Sequence, residues 1–395
     1  MGAKLFDGHR FLPPGCVLVL EGRVAALDSR LTAPAGVPVV DARGGTVLPG
    51  LIDAHVHVFP GALQSALRSG VTTELDMFAD PALVGALVQQ ASCDPSAADL
   101  RSAGIGATAP GGHPTRLIAQ GLLSPFPTVA GPAQAEAFVA ARVAEGSDFL
   151  KVILEDGTTT GHAVPTLTAD TVEALVAAAH AQDLLVVAHT LTQAHALLAV
   201  GAGVDGLAHL FFDEPPSAQF LDAAVRRNVF VVPTLTSLAA RSGHSRGRAL
   251  AEDPHLGSAL DPRQRASLTL DFPVGPGARA DLAHAMSAVA QLQRNGLRLL
   301  AGTDAPSPGT AHGASLHDEL HLLVLAGLSP PAALAAATSA PAAAFGLTDR
   351  GGIAPGMRAD LVLVQGDPEH DITGTRAIEQ VWRAGHPASR SPTAE

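Results

Sequence analysis

Leu48-Pro49-Gly50-Leu51-Ile52-Asp53-Ala54-His55-Val56-His57 is an apolar run that closes on two histidines. Successive side chains of a strand point to opposite faces, so His55 and His57 share a face and can approach one metal ion together. Three later runs end in the same manner: Leu184-Leu185-Val186-Val187-Ala188 on His189, Val204-Asp205-Gly206-Leu207-Ala208 on His209, and Leu299-Leu300-Ala301-Gly302-Thr303 on Asp304. One strand-end histidine in a chain with 17 of them says little, since it can simply cap a neighbouring carbonyl. Four histidines and an aspartate at the same end of their strands form a ligand set, and His and Asp suit zinc and similar ions.

Outward from this stretch, residues 50–350 alternate short apolar runs with Ala- and Leu-rich segments. Strands are predicted at 51–58, 71–77, 105–108, 149–154, 184–189, 204–209, 229–234 and 297–303, with helices between them, for instance at 133–145, 169–181 and 316–326. That alternation is the pattern of parallel βαβ units, and eight of them match an α/β (β/α)8 TIM barrel. Such barrels carry their active sites at the C-terminal ends of the strands, where the histidines and Asp304 fall. Segments 1–49 and 351–395 instead read as short strands and turns, among them Val17-Leu18-Val19-Leu20 before Glu21-Gly22 and Ala359-Asp360-Leu361-Val362-Leu363-Val364. The expectation is a barrel domain at 50–350 and a small β-sandwich domain composed of 1–49 and 351–395.

Of 25 basic residues only Lys4 and Lys151 are lysines. A chain that uses arginine almost everywhere keeps a lysine where arginine cannot do the chemistry. Lys151 sits inside Asp148-Phe149-Leu150-Lys151-Val152-Ile153-Leu154, on the fourth predicted barrel strand. Protonated, it would repel a metal and be costly to bury alone. After reaction with carbon dioxide it becomes a carbamate, an anion whose two oxygens can bridge two metals. The competing reading is an ion pair with Glu155 or Asp156.

These stretches together resemble the amidohydrolase superfamily, in particular its imidazolonepropionase-like and Xaa-Pro-dipeptidase-like branch. The similarity runs from the N-terminal strands through Leu48–His57, Lys151, His189, His209 and Gly302-Thr303-Asp304-Ala305 to Gly352-Ile353-Ala354-Pro355-Gly356-Met357-Arg358-Ala359-Asp360-Leu361-Val362. It implies two divalent metals, with zinc the expected ion. His55 and His57 would hold the buried metal, His189 and His209 the more exposed one, and carboxylated Lys151 would bridge both. Asp304 would bind the buried metal and serve as general base. Gly111-Gly112-His113 also resembles this branch, where a histidine there faces the substrate pocket; loop packing is the competing role for His113. Two departures stand out: Thr190 follows His189 where Ala is common, and the chain has no tyrosine to polarise a scissile carbonyl.

The reaction so implied is hydrolysis of an amide or peptide-like C–N bond in a small substrate, such as an N-acyl amino acid or a dipeptide. Water held by the metals would be deprotonated near neutral pH, and Asp304 would pass its proton to the leaving amine. One alternative is a mononuclear deaminase or cyclic-imide hydrolase, although such relatives usually lack the lysine. Another is an inactive barrel acting as a binding module, although such relatives tend to lose ligands and all six are present here.

A long stretch separates Thr234 from Leu297. Residues 278–294 read as the seventh barrel helix, leaving 236–277 as an insertion far longer than an ordinary barrel loop. Its Arg241-Ser242-Gly243-His244-Ser245-Arg246-Gly247-Arg248 is expected to line the substrate pocket, with Arg241, Arg246 and Arg248 gripping a carboxylate in two-pronged fashion. The competing reading is a solvated loop. A net charge of −12 and a near absence of Trp and Tyr argue against nucleic-acid binding. No apolar run approaches the roughly 20 residues of a membrane span, and the start lacks a signal-peptide pattern. Cys16 and Cys93 lie outside any CxxC and are expected to be free thiols of a cytoplasmic protein. A homo-oligomer acting on a small molecule is the expected form.

Overall fold

The computed structural model describes residues 2–391. Four strands come first: β1 (Ala3–Phe6), β2 (Phe11–Leu20), β3 (Arg23–Asp28) and β4 (Thr46–Pro49). Seven follow in the middle of the chain: β5 (Leu51–Val56), β6 (Val71–Asp76), β7 (Asp99–Ser102), β8 (Leu150–Leu154), β9 (Val186–Thr190), β10 (Gly206–Ala208) and β11 (Phe230–Val232). The end adds β12 (Leu361–Val364), β13 (Ile378–Arg383) and β14 (His386–Ala388).

The two ends of the chain meet in one seven-stranded sheet, ordered β14-β13-β12-β4-β1-β2-β3. Its seam is the antiparallel pairing of β12 with β4, which sets Leu361 opposite Pro49 and Val364 opposite Thr46. Leu5, Ala42 and Leu363 form a small core there with Val17, Val47 and Trp382. The sheet therefore has apolar packing of its own.

The middle strands form two parallel sheets, β5-β6-β7 and β8-β9-β10-β11. Most of them are buried along their whole length, as expected when helices cover both faces of a parallel sheet. Isolated parallel bridges link the sheets. Ala107 pairs with Val152 on one side; Leu299 pairs with Val231 and Ala305 with Val56 on the other.

Two predicted strands need correction. The third begins at Asp99, earlier than the predicted 105–108, which contributes the bridge at Ala107. Asp99-Leu100-Arg101-Ser102 has no apolar run to mark it, because its charges are met by distant partners: Asp99 by Arg350 and Arg358, Arg101 by Asp148. The eighth, at 297–303, is held by the bridge at Leu299 and by backbone bonds such as Ala54 N–H to Ala301 O at 2.9 Å, not by a continuous ladder. Gly302 presses closely on its neighbours there: a Cβ would lie 2.5 Å from Val232 Cγ1 and 2.9 Å from the His55 nitrogen.

The insertion folds into helices Leu235–Arg241, Gly247–Ala251 and Pro262–Thr269 before the predicted seventh helix, found at Leu282–Arg294. Buried Arg68 fastens it to the segment between β5 and β6 through Asp261 at 2.7 Å. Cys16 and Cys93 are free. Among the described residues no helix is long and apolar enough to cross a membrane.

Candidate metal centre

β5 ends by delivering His55, fully buried, and His57. Asp53 fixes that strand end: its carboxylate accepts from Thr303 Oγ1 at 2.7 Å, from Thr303 N–H at 3.1 Å and from His55 N–H at 3.2 Å. β8 contributes Lys151, β9 contributes His189, and His209 follows β10. His209, Thr234 and Asp304 all take positive φ, at 70°, 51° and 59°. Non-glycine residues rarely adopt that conformation, and such strain gathers at functional sites.

The side chains converge. Ring centroids are 5.4 Å apart for His55 and His57, 4.5 Å for His55 and His209, and 4.6 Å for His189 and His209. Asp304 Oδ1 lies 3.4 Å from His55 Nε2 and 3.2 Å from His57 Nε2. Donor atoms of His55, His57 and Asp304 all fall within 4.8 Å of one another, a spacing one ion can span. Asp304 Oδ2 turns the other way and accepts from Ser237 Oγ at 2.7 Å and Ser307 Oγ at 2.8 Å.

Which nitrogens are engaged matters as much. His57 Nδ1 faces the Phe78 carbonyl at 3.4 Å, His209 Nδ1 meets Thr234 Oγ1 at 2.6 Å, and His189 Nε2 meets Glu155 Oε2 at 3.2 Å. Both ring nitrogens of His55 and the Lys151 amine are buried without a hydrogen-bond partner among the described residues. The ion pair of Lys151 with Glu155 or Asp156 does not form. Buried polar atoms without partners are costly, so a cluster of them asks for a ligand.

The electrostatics favour a cation acceptor. Burial pushes His55, His189 and His209 well below the ordinary histidine value, and the charge on Lys151 pushes each further. Metals bind neutral imidazole, so these rings are ready to ligate at neutral pH. Burial also pulls Lys151 down to about 7, against the opposing pull of Asp304 and Asp76. Burial would raise Asp304, but His209, His57, His55 and Arg241 hold it well below the usual carboxylate range. Neutral imidazoles, an ionised carboxylate and an orphaned amine fit a metal centre.

The comparisons with known proteins agree. Residues 46–388 match the Amidohydrolase family model. The chain belongs to the amidohydrolase family. An imidazolonepropionase of Deinococcus deserti is 36% identical over 148 residues, covering 36% of this chain and 33% of that enzyme, so the matched stretch spans about a third of the relative. One from Cereibacter sphaeroides is 28% identical over 410 residues, covering 98% and 93%. Among solved structures, a Xaa-Pro dipeptidase with bound methionine in the active site superposes with a TM-score of 0.78 at 22% identity, covering 97% of both chains.

In this amidohydrolase His113 joins the cluster, its ring stacked on His189 at 5.4 Å, and burial lowers it to about 4. The three arginines part company. Arg241 ends the helix that leaves Thr234, is buried, and reaches Asp304 Oδ2 at 3.5 Å beneath the Phe272 ring. Beyond Gly243, where φ is +77°, the chain turns away. Arg246 pairs with Asp318 at 3.0 Å, and Arg248 lies exposed with the Thr269 carbonyl at 3.1 Å.

Several supporting residues escaped the sequence reading. Glu319 accepts from Leu235 and Thr236 N–H at 2.9 and 2.8 Å and so aims the helix carrying Ser237 and Arg241. His312 bridges Glu74, at 2.7 Å, and the His57 carbonyl, at 3.2 Å. Their partners lie far away in sequence. A cleft of about 410 Å³ opens elsewhere, beside Arg101, Asp148, Leu185 and Arg350. Chemistry, not room, marks the site.

Proposed function

We propose that this amidohydrolase cleaves an amide or peptide-like C–N bond in a small carboxylate-bearing substrate, such as an N-acyl amino acid or a dipeptide, with two divalent metals, zinc being the expected pair. The observation that carries the proposal is that His55 and Lys151 are buried without a hydrogen-bond partner among the described residues, among rings pushed toward neutrality. His55, His57 and Asp304 would hold one ion, and His189 and His209 the other. Among the described residues no third His, Cys, Asp or Glu joins His189 and His209 at ligand spacing. In this reading Lys151, once carboxylated, gives the second ion an oxygen donor. With its amine near 7, a share of Lys151 is uncharged at neutral pH. That amine can attack the carbon of carbon dioxide and release one proton, and the resulting N-carboxylate would supply oxygen ligands.

Bound metal supplies charge that acidifies water and draws electron density from a carbonyl. Asp304, anchored through Oδ2 by Ser237 and Ser307, keeps Oδ1 toward the reacting centre and can take the proton of the attacking water and return it to the leaving nitrogen. His113, neutral because burial lowers it, can hydrogen-bond the substrate beside His189. Arg241 makes two weak contacts at 3.3 and 3.5 Å and has N–H groups left for a substrate carboxylate. The dipeptidase likeness favours this substrate class, while the full-length match to an imidazolonepropionase keeps a ring C–N bond as the second reading. The bridges between the parallel sheets support a closed (β/α)8 barrel at 50–350, with 1–49 and 351–395 as a sandwich-like second domain.

Elemental analysis should find two metals per chain, and chelation should abolish activity that zinc restores. One metal with an unmodified lysine would overturn the binuclear form. Arg241→Met should weaken an acid substrate more than its methyl ester, whereas Arg248→Met should treat them alike. If Arg241→Met does not discriminate, it is not the carboxylate reader.

A further inference from the structure

Three of the four ligand histidines have one ring nitrogen engaged outside the cluster, and the three partners differ in kind. Thr234 offers His209 a hydroxyl, which can donate or accept. Phe78 offers His57 a carbonyl, at a long 3.4 Å. Of the three, His189 is the one whose partner outside the cluster is a carboxylate, Glu155 Oε2 at 3.2 Å, and both side chains are only 6% exposed. A carboxylate accepts, so His189 Nε2 carries the proton and Nδ1 keeps its lone pair. We infer that Glu155 is a positioning residue that sets the tautomer of His189 and presents Nδ1 to the second metal, an inference that rests on the binuclear reading above.

The turn after β8 is shaped to hold this carboxylate. Glu155 Oε1 accepts the Gly157 N–H at 2.7 Å, which leaves Oε2 aimed at the imidazole. Gly157 sits at φ +84°, and a Cβ there would lie 1.8 Å from the His162 carbonyl oxygen, so the turn closes only with glycine. Val164 N–H to Asp156 O at 3.0 Å ties the two sides of the turn together. His113 stacks on the opposite flank of the ring at an interplanar angle of 27°. The imidazole is thus gripped at its edge and across its face, leaving rotation about its own axis with little room. Lys151 receives nothing from Glu155, so the acid's charge is spent on His189. A carboxylate on the far nitrogen also strengthens a histidine as a metal donor, the widespread carboxylate–histidine–metal arrangement.

Nitrogen-15 NMR of the metal-stripped full-length protein, with His189 assigned by loss of its signals in His189→Asn, tests the assignment directly. The wild type should show His189 protonated at Nε2 only. Glu155→Ala should give a mixture of tautomers, whereas Glu155→Gln, whose amide oxygen still accepts, should keep Nε2–H. Zinc titration against a chelator should find the weaker of the two ions bound about 10–100-fold less tightly in Glu155→Ala, with Glu155→Gln between. An Nδ1–H tautomer in the wild type, or an alanine variant that alters neither tautomer nor zinc affinity, overturns the inference. A wild type that takes up one zinc while its tautomer still follows Glu155 strikes the binuclear reading and leaves the orienting role of Glu155 standing.

Discussion

The two ends of the parallel strands treat charge in opposite ways. At the N-terminal end, Asp99 of β7 receives Arg350 and, at 2.9 Å, Arg358; Arg358 also holds Asp360, and Arg350 holds Asp349 at 2.8 Å. Each of these five charges has an opposite partner, and Arg358 and Asp360 come from the C-terminal segment that joins the seven-stranded sheet. Toward the C-terminal end, His55 and, lower on β8, Lys151 are buried without a hydrogen-bond partner among the described residues, and three residues hold positive φ. The first arrangement lowers the energy of the folded chain. The second raises it and is tolerable because a ligand can satisfy it. In barrel-type folds the two ends divide in this way between stability and chemistry, and that contrast can be attacked from both sides.

The largest effect should come from Asp304→Asn. Turnover should fall by about 10²–10⁴-fold, the usual contribution of a general base, while the melting temperature of the metal-free protein barely moves. A variant that keeps more than about a tenth of the rate would remove Asp304 from proton transfer. Lys151→Met comes next. Activity should drop on the order of 10²-fold if, as proposed, Lys151 helps hold a second metal. The metal-free fold should become more stable by about 1–3 kcal/mol, because an unsatisfied amine is replaced by an apolar chain of similar length. A destabilised Lys151→Met would show that the amine has a partner in solution, and the contrast between the two ends would fail there.

The N-terminal end should answer in reverse. Asp99→Ala leaves two guanidinium groups facing each other and should cost about 3 kcal/mol by chemical denaturation, with kcat/KM unchanged. An activity loss without a stability loss would contradict the division of labour. The smallest effect is in pH. Burial would raise the Asp99 carboxyl, but Arg350 and then Arg358 hold it well below the usual carboxylate range. A depressed carboxyl contributes stability that is fully present above its unfolded value, about 4, and is lost as pH falls toward its folded value. The melting-temperature gap between the wild type and Asp99→Asn should therefore be constant above about pH 5 and narrow below about pH 4. A gap that narrows instead on the alkaline side would assign the difference to another group.

Much of this was legible from the chain alone. Strand ends carrying His55, His57, His189, His209 and Asp304 were readable because each ligand closes an apolar run, and local periodicity is written in adjacent residues. The third strand was misplaced because Asp99 and Arg101 look like loop residues until Arg350 and Asp148 arrive from elsewhere. Arg241, Arg246 and Arg248 were indistinguishable in sequence, all within eight consecutive residues. Folding separates them: Arg241, on the helix that ends before Gly243, reaches Asp304, while Arg246 and Arg248 beyond it find other partners.

The sequence by itself determined which chemical groups stand at the ends of the strands and that one rare lysine stands among them, since residue type and spacing are local properties. The tertiary structure decided how those groups are partnered. Glu155 could equally have neutralised Lys151, four residues away, or turned to His189, 34 residues away; the glycine turn at 157 sends it to the histidine. Partner choice is a competition among groups brought together by folding, and it is settled by distances that no spacing along the chain contains.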